Sequence, residues 1–284
     1  MKYLSFFTIF LFTLFQFKAV AQSGWMKNKN SLYTQLSVHQ FSSNQYYATN
    51  GTLFDEGNNF SSQQLMLYGE YGISDRLTGL LNVPLLQLNS FSNTDVVASI
   101  GDVQLGAKYA LTQKIPLSIS VEASIPTGDG VQFATSKTVN ELGLRDRINL
   151  STSDGEFNVW TTLALSQSKG DWYASVFGSL NLRTQGFSHQ MKLGGEIGYQ
   201  AIDDLWLIAK LNVLESLSDS PNTSVPFIYG EGTTYTATNL QLMYALNENW
   251  RLIAGYADYF DFLVNRRNIY DAPSFSLGLA FDLK

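Results

Sequence analysis

The chain predicts an all-β fold: a transmembrane up-and-down antiparallel β-barrel of outer-membrane type, with about twelve strands. Three observations lead there. Apolar and polar residues alternate with period two along most of the sequence, so each strand has two faces that meet different surroundings. An aromatic residue recurs at one depth just before short polar turns, as in Tyr71-Gly72-Ile73 before Ser74-Asp75-Arg76 and Tyr244-Ala245-Leu246 before Asn247-Glu248-Asn249. Connections alternate between short and long, as in barrels with tight periplasmic turns and larger outer loops.

Residues 1–21 read as a secretory signal peptide. Lys2 supplies the positive start, Leu4 to Phe17 is an apolar stretch broken by polar residues, and Ala19-Val20-Ala21 offers a cleavage site. That stretch is too short for a membrane-spanning helix, which needs roughly 20 predominantly apolar residues. Residues 22–284 are expected to form a single transmembrane β-barrel domain, since no linker interrupts the strand rhythm. The formal net charge of −6 becomes −8 when the positive charges of Lys2 and Lys18 leave with the signal. No basic block remains, which argues against nucleic-acid binding. The chain has no Cys, so neither a disulfide nor a thiolate metal site is available.

Strands are expected near 31–41, 63–73, 77–86, 102–111, 116–126, 156–166, 172–183, 189–201, 205–215, 234–246, 250–259 and 273–283. In the last of these Phe275, Leu277, Leu279, Phe281 and Leu283 share one face, and Ser274, Ser276, Gly278, Ala280 and Asp282 the other. A soluble sandwich shows the same alternation. Charges on the small-residue face, which would be odd in a packed core, favour lipid outside and water within. Tyr71, Tyr109, Tyr199, Tyr244 and Phe281 near the ends of descending strands, with Trp172 and Trp250 opening ascending ones, predict a membrane-interface girdle. Ser276-x-Gly278-x-x-Phe281-x-Leu283 looks like the signal that outer-membrane barrels present to their assembly machinery, readable while the last strand is still an edge.

The polar face lists the expected lumen lining. Its acids are Glu70, Asp102, Glu122, Glu196 and Asp282, and its bases are Lys108, Arg183, Lys192, Lys210 and Arg251. Such a balance differs from the one-sign ring of a strongly ion-selective pore. Reflecting the eighth strand on the ninth about Asp203 places Glu196 opposite Lys210, so cross-strand pairing and solute contact are both open for this set. Trp160, Tyr173, Phe177 and Trp206 add aromatic lining. Twelve strands leave a narrow passage or a filled interior. Only about ten residues separate the signal from the first strand, so any constriction is expected from side chains or a folded-in loop. The longest loop, Thr127 to Gly155, carries Arg145, Asp146 and Arg147 and either enters the lumen or covers the surface. His39 and His189 sit in neither a nucleophile motif nor a metal-ligand spacing, so no enzymatic activity, metal or cofactor is expected.

Gly101-Asp102-Val103-Gln104-Leu105-Gly106-Ala107-Lys108-Tyr109, followed by Glu122-Ala123-Ser124-Ile125-Pro126-Thr127-Gly128-Asp129, resembles a family of small outer-membrane barrels named for the meta-cleavage pathway of phenol degradation. In that family a G-D-x-x-L-G-x-K-Y strand precedes a strand ending in P-T-G-D. The resemblance implies uptake of small hydrophobic or aromatic compounds across the outer membrane. The expected function is a passive, porin-like channel or binding conduit for small solutes in the outer membrane of a Gram-negative bacterium. Its partners would be outer-membrane lipid, the barrel assembly machinery and a small solute, with the barrel a monomer. The alternative is a closed structural or surface-interaction barrel that works through its outer loops, with Tyr46-Tyr47 and Phe260-Asp261-Phe262 as contacts.

Overall fold

The computed structural model describes residues 23–112, 114–218 and 231–284, and the signal peptide lies outside the described residues. The strands are β1 (Leu32–Tyr47), β2 (Leu53–Ser74), β3 (Leu77–Phe91), β4 (Val97–Ser99), β5 (Val103–Thr112), β6 (Leu117–Ile125), β7 (Phe133–Thr135) and β8 (Arg147–Asn149). They continue as β9 (Asn158–Lys169), β10 (Trp172–Arg183), β11 (Gln190–Ile202), β12 (Leu205–Ser216), β13 (Tyr235–Ala245), β14 (Trp250–Phe260), β15 (Ile269–Tyr270) and β16 (Ser274–Leu283). Twelve of these form a closed antiparallel wall in the order β1-β2-β3-β5-β6-β9-β10-β11-β12-β13-β14-β16, and β16 bonds back to β1. β4 and β15 add to the sheet at the loop end, while β7 and β8 pair in a hairpin of their own.

Alternation sorts side chains across this wall. Leu36, Val38, Leu105, Val121, Leu163, Val176, Leu193, Leu240 and Leu277 are exposed on the outside. Ser37, Lys108, Ser120, Thr162, Ser175 and Arg251 are buried within. A globular protein does not leave so continuous an apolar surface in water, so the outer face is the one that meets hydrocarbon. Closure pairs every strand edge, which lets the backbone cross that layer. The tight turns gather at one end, for example 203–204 between β11 and β12, and the longer connections at the other.

The wall departs from the expected strands at the loop end. β1 runs on to Tyr47 and β2 begins at Leu53, so the segment expected as the first outer loop is mostly hairpin, joined by a short turn at residues 48–52. Residues 42–62 carry no lipid-facing alternation because one side of these arms packs on the loop-end cluster through Tyr46 and Phe60 and the other is largely polar. A bulge between Ser43 and Gln45 also shifts their face. β3 likewise continues to Phe91 past Pro84, where its pairing with β2 is irregular and its ladder with β5 stops at Asn82. Proline lacks the N–H needed to continue such a ladder.

The two halves of the family-like motif meet each other. Thr127 Oγ1 donates to Gly101 O (2.8 Å) and accepts from Val103 N (3.1 Å), while Gly128 N donates to Asp102 Oδ1 (3.1 Å). A Cβ on Gly128 would lie 2.8 Å from Thr152 O, and one on Gly106 would lie 2.6 Å from Val121 O. The motif therefore pins the start of the long loop to the top of β5.

One expectation about the other end is overturned. The few residues before β1 do form an obstruction. Gly24 N donates to Ser166 Oγ (2.7 Å), Ser118 Oγ to Ser23 O (3.3 Å) and Lys27 N to Thr78 Oγ1 (3.1 Å), which ties residues 23–27 to β6, β9 and β3. Asn30 N donates to Gly72 O (2.7 Å) on β2. Residues 23–30, which end in a turn closed by Ser31 N donating to Asn28 O (3.0 Å), thus reach from β2 to β9 without a separate plug domain.

Candidate functional site

The lumen is built in three levels. At the turn end, Trp25 of the N-terminal strap enters a buried cluster with Tyr33, Tyr173, Trp206, Ile208, Met243 and Ile253. Its ring meets Tyr173 edge-on at 5.4 Å. Tyr173 and Trp206, expected as open aromatic lining, are thus packed into this floor. Lys27 Nζ lies 2.9 Å from Asp282 Oδ1 and 4.9 Å above the Tyr33 ring. Arg251 reaches the other carboxylate oxygen of Asp282 at 3.3 Å.

Paired charges line the next level. Lys108 lies 3.5 Å from Glu70, and Lys210 lies 3.2 Å from Glu196, directly opposite it in the β11–β12 register. Glu122 accepts a hydrogen bond from Ser120 (3.1 Å) and faces Trp160 across β6 and β9. Lys192 sits 5.9 Å from the Phe177 ring. Each ionised group held inside the wall therefore has a hydrogen bond, an ion pair or a ring against it, as burial demands. Asp102 differs from this set, because its carboxylate caps the long loop.

A cavity of about 240 Å³ rests on the floor cluster and shares Ile208, Met243 and Ile253 with it. Ser37 Oγ and His39 Nε2 lie 2.9 Å apart in its wall. No carboxylate among the described residues bonds the ring's other nitrogen, so the third member of a hydrolytic triad is missing there.

At the loop end the long loop folds inward only in part. Arg145, Asp146 and Arg147 are exposed at its tip, and Arg147 lies over Phe133 instead of reaching the lumen. Leu150 enters a buried cluster with Tyr46, Phe60, Val97, Ala134 and Tyr270, in which Phe60 stacks on Tyr270 at 4.5 Å. Asn89 Nδ2 donates to Ser151 O (3.1 Å), and Thr152 Oγ1 donates to Ile100 O (3.0 Å). Beyond them Arg183 pairs with Glu156 and, at 3.2 Å, with Asp154. Burial pushes the Asp154 carboxyl up to about 7, with Arg183 opposing the shift and Glu156 adding to it. Glu231 accepts from Ser188 N (2.9 Å) beside this group. Sequence reasoning identified Arg183 but missed Asp154 and Glu231, which lie in loops without periodicity, and Glu156, which it placed at the head of a strand that begins only at Asn158. Tyr46, expected as a surface contact, is buried and bonded to Asn268.

The ring residues of the expected girdle all lie near the turn end. Tyr71, Tyr109, Trp172, Tyr244 and Trp250 are exposed on the outer face. Tyr199 stacks on Trp172 at 4.5 Å, and Phe281 packs on Trp250 at 5.0 Å.

No family model matches the chain, and no curated protein matches it in sequence. Solved structures match in fold. An outer-membrane channel of the COG4313 group from Pseudomonas putida F1 superposes with a TM-score of 0.61 at 16% identity, covering 94% of this chain and 99% of that one. A ΔS2S3 mutant of the monoaromatic hydrocarbon channel TodX gives 0.51 at 11% identity, covering 92% and 91%. The chain has the fold of outer-membrane channels.

Proposed function

We propose that the protein is a passive outer-membrane channel or binding conduit for small solutes, working as a monomer. The observation that carries this reading is the hollow, polar, charge-balanced interior inside a closed wall whose outer face is apolar. A purely structural barrel has no need of a cavity among hydrogen-bonding side chains. The solute path would run past Glu70, Lys108, Glu122, Lys192, Glu196 and Lys210, with Trp160 beside them, then toward Arg183 at one end and Arg251 at the other. Paired charges give a path of mixed sign, so passage is selected by size and polarity instead of by net charge. Insertion would use the assembly machinery, with β16 as the strand that completes the wall.

The resemblance to the phenol meta-cleavage family favours hydrophobic or aromatic solutes. The likeness to TodX supports the architecture of that reading and leaves the solute to experiment. Single-channel conductance of the refolded protein in a planar bilayer tests the proposal. Steady ohmic openings that change when Lys210 is replaced support it. Silence from a correctly folded barrel, with or without residues 23–30, overturns it. Silence would favour the surface-interaction reading, for which Leu142 and Phe262, 81% and 70% exposed at the loop end, are the candidate contacts.

A further inference from the structure

The 240 Å³ cavity above the floor has two unlike walls. Strands β1, β2 and β3 present Gln35, Ser37, His39, Tyr68 and Asn82. Facing them, β12, β13 and β14 present Ile208, Met243 and Ile253. No Asp, Glu, Lys or Arg lines the space, although ion pairs surround it elsewhere in the lumen. Within the apolar side sits one carboxamide, Gln241, opposite Ile208 in the β12–β13 register. It makes no side-chain hydrogen bond among the described residues, and the same holds for the second ring nitrogen of His39.

We propose that this chamber binds a neutral, ring-sized amphiphile carrying a hydroxyl group. The inference rests on the channel reading and names the class of solute held on the path. A dry cavity of about 150 Å³ accepts benzene, so the larger chamber takes one ring with a short polar arm. The apolar wall and Met66 fit the ring, and thioethers make favourable contacts with aromatic edges. The hydroxyl satisfies Gln241 or His39, which a hydrocarbon would leave without a partner. An ionised carboxylate would lose its hydration against Ile208 and Ile253 with no cation in the wall to replace it.

The test is saturation-transfer NMR on the refolded, full-length mature protein in deuterated detergent. Its probes are 2-phenylethanol, phenylacetate and toluene. The alcohol should bind at least about tenfold more tightly than either of the others, the scale of one hydrogen bond or one desolvated charge. Gln241→Leu should reduce the alcohol's advantage over toluene to under about threefold. Met243→Trp, which fills the chamber, should abolish saturable binding. Heat-dependent gel mobility establishes that each variant is a folded barrel, and Ile253→Phe replaces Met243→Trp if that variant does not fold. Equal or tighter binding of phenylacetate overturns the proposal, as does alcohol binding that survives both substitutions. Conductance is measured separately. Pores without alcohol binding sink the chamber alone, whereas saturable binding without pores sinks the channel and leaves the chamber.

Discussion

The two mouths of the barrel are obstructed in different ways. At the turn end a strap of eight residues, 23–30, is fastened to the wall itself, to side chains or backbone of β2, β3, β6, β9 and β16. At the loop end the residues around Leu150 are held mainly by other segments of the same mouth, among them Ile100, Asp129 and Gln132. A fastening made to a rigid wall can be undone locally. One made of mutually supporting loops shares any disturbance. The chemistry differs as well: the strap brings a cation to Asp282, while the loop brings two carboxylates to Arg183.

The sharpest way to break this comparison is Arg183→Ala, which leaves Glu156 buried without its cation. The expected loss is about 3–5 kcal/mol, read from urea titrations of heat-modifiable gel mobility. A loss below about 1 kcal/mol would mean that the loop end does not depend on this pair. Next in size is Trp25→Ala, which removes the strap's ring from the floor cluster. Truncating a packed tryptophan costs about 3–5 kcal/mol. Here the cost should fall on seating of the strap, so mean conductance should rise several-fold while the wall keeps its denaturation midpoint. A lower midpoint with unchanged conductance would make the strap part of the wall.

A smaller effect is expected from Gly106→Ala. The added methyl would meet Val121 O, and relief of that overlap costs about 1–3 kcal/mol in the same urea titration. It should leave both mouths alike, so protease sensitivity of either end is the control.

The finest discrimination is by pH. Burial raises the Asp154 carboxyl in the folded state from the ordinary 3.8 to about 7. The folded protein therefore holds this proton over that interval while the unfolded chain has lost it, so stability falls as pH rises from about 4 to about 7 and is level beyond. Protection of residues 150–156 against hydrogen exchange, taken relative to the intrinsic rate at each pH, should fall across that window, and Asp154→Asn should flatten the response. The strap should show no corresponding step. If the strap responds equally, the two ends are coupled.

The twelve wall strands were legible because lipid imposes a strict demand: every second residue must be apolar wherever a strand crosses hydrocarbon. Glu196 opposite Lys210 followed from the same periodicity and one tight turn. That demand ends at the headgroups, so the arms of β1 and β2 around Tyr47 and Leu53 could not be told from a loop. The strap lacked a signal for a different reason. Gly24, Trp25 and Lys27 acquire their role only from Ser166, Tyr173 and Asp282, more than a hundred positions away. Asp154 and Glu156 lie only 29 and 27 positions from Arg183, but they sit just before β9, outside the alternation that placed Glu196 opposite Lys210.

Lys27 and Asp282 are 255 positions apart, yet their contact lies beside the seam where the first and last wall strands meet. Such a stitch brings together the two chain ends, which are far apart in a partly rolled sheet. Its formation therefore waits on the seam, unlike the strap's bonds to β3, β6 and β9, which need only strands already in place. A barrel arrested with its seam open would keep those bonds and lack this last tie, so the missing contact would report an unfinished closure.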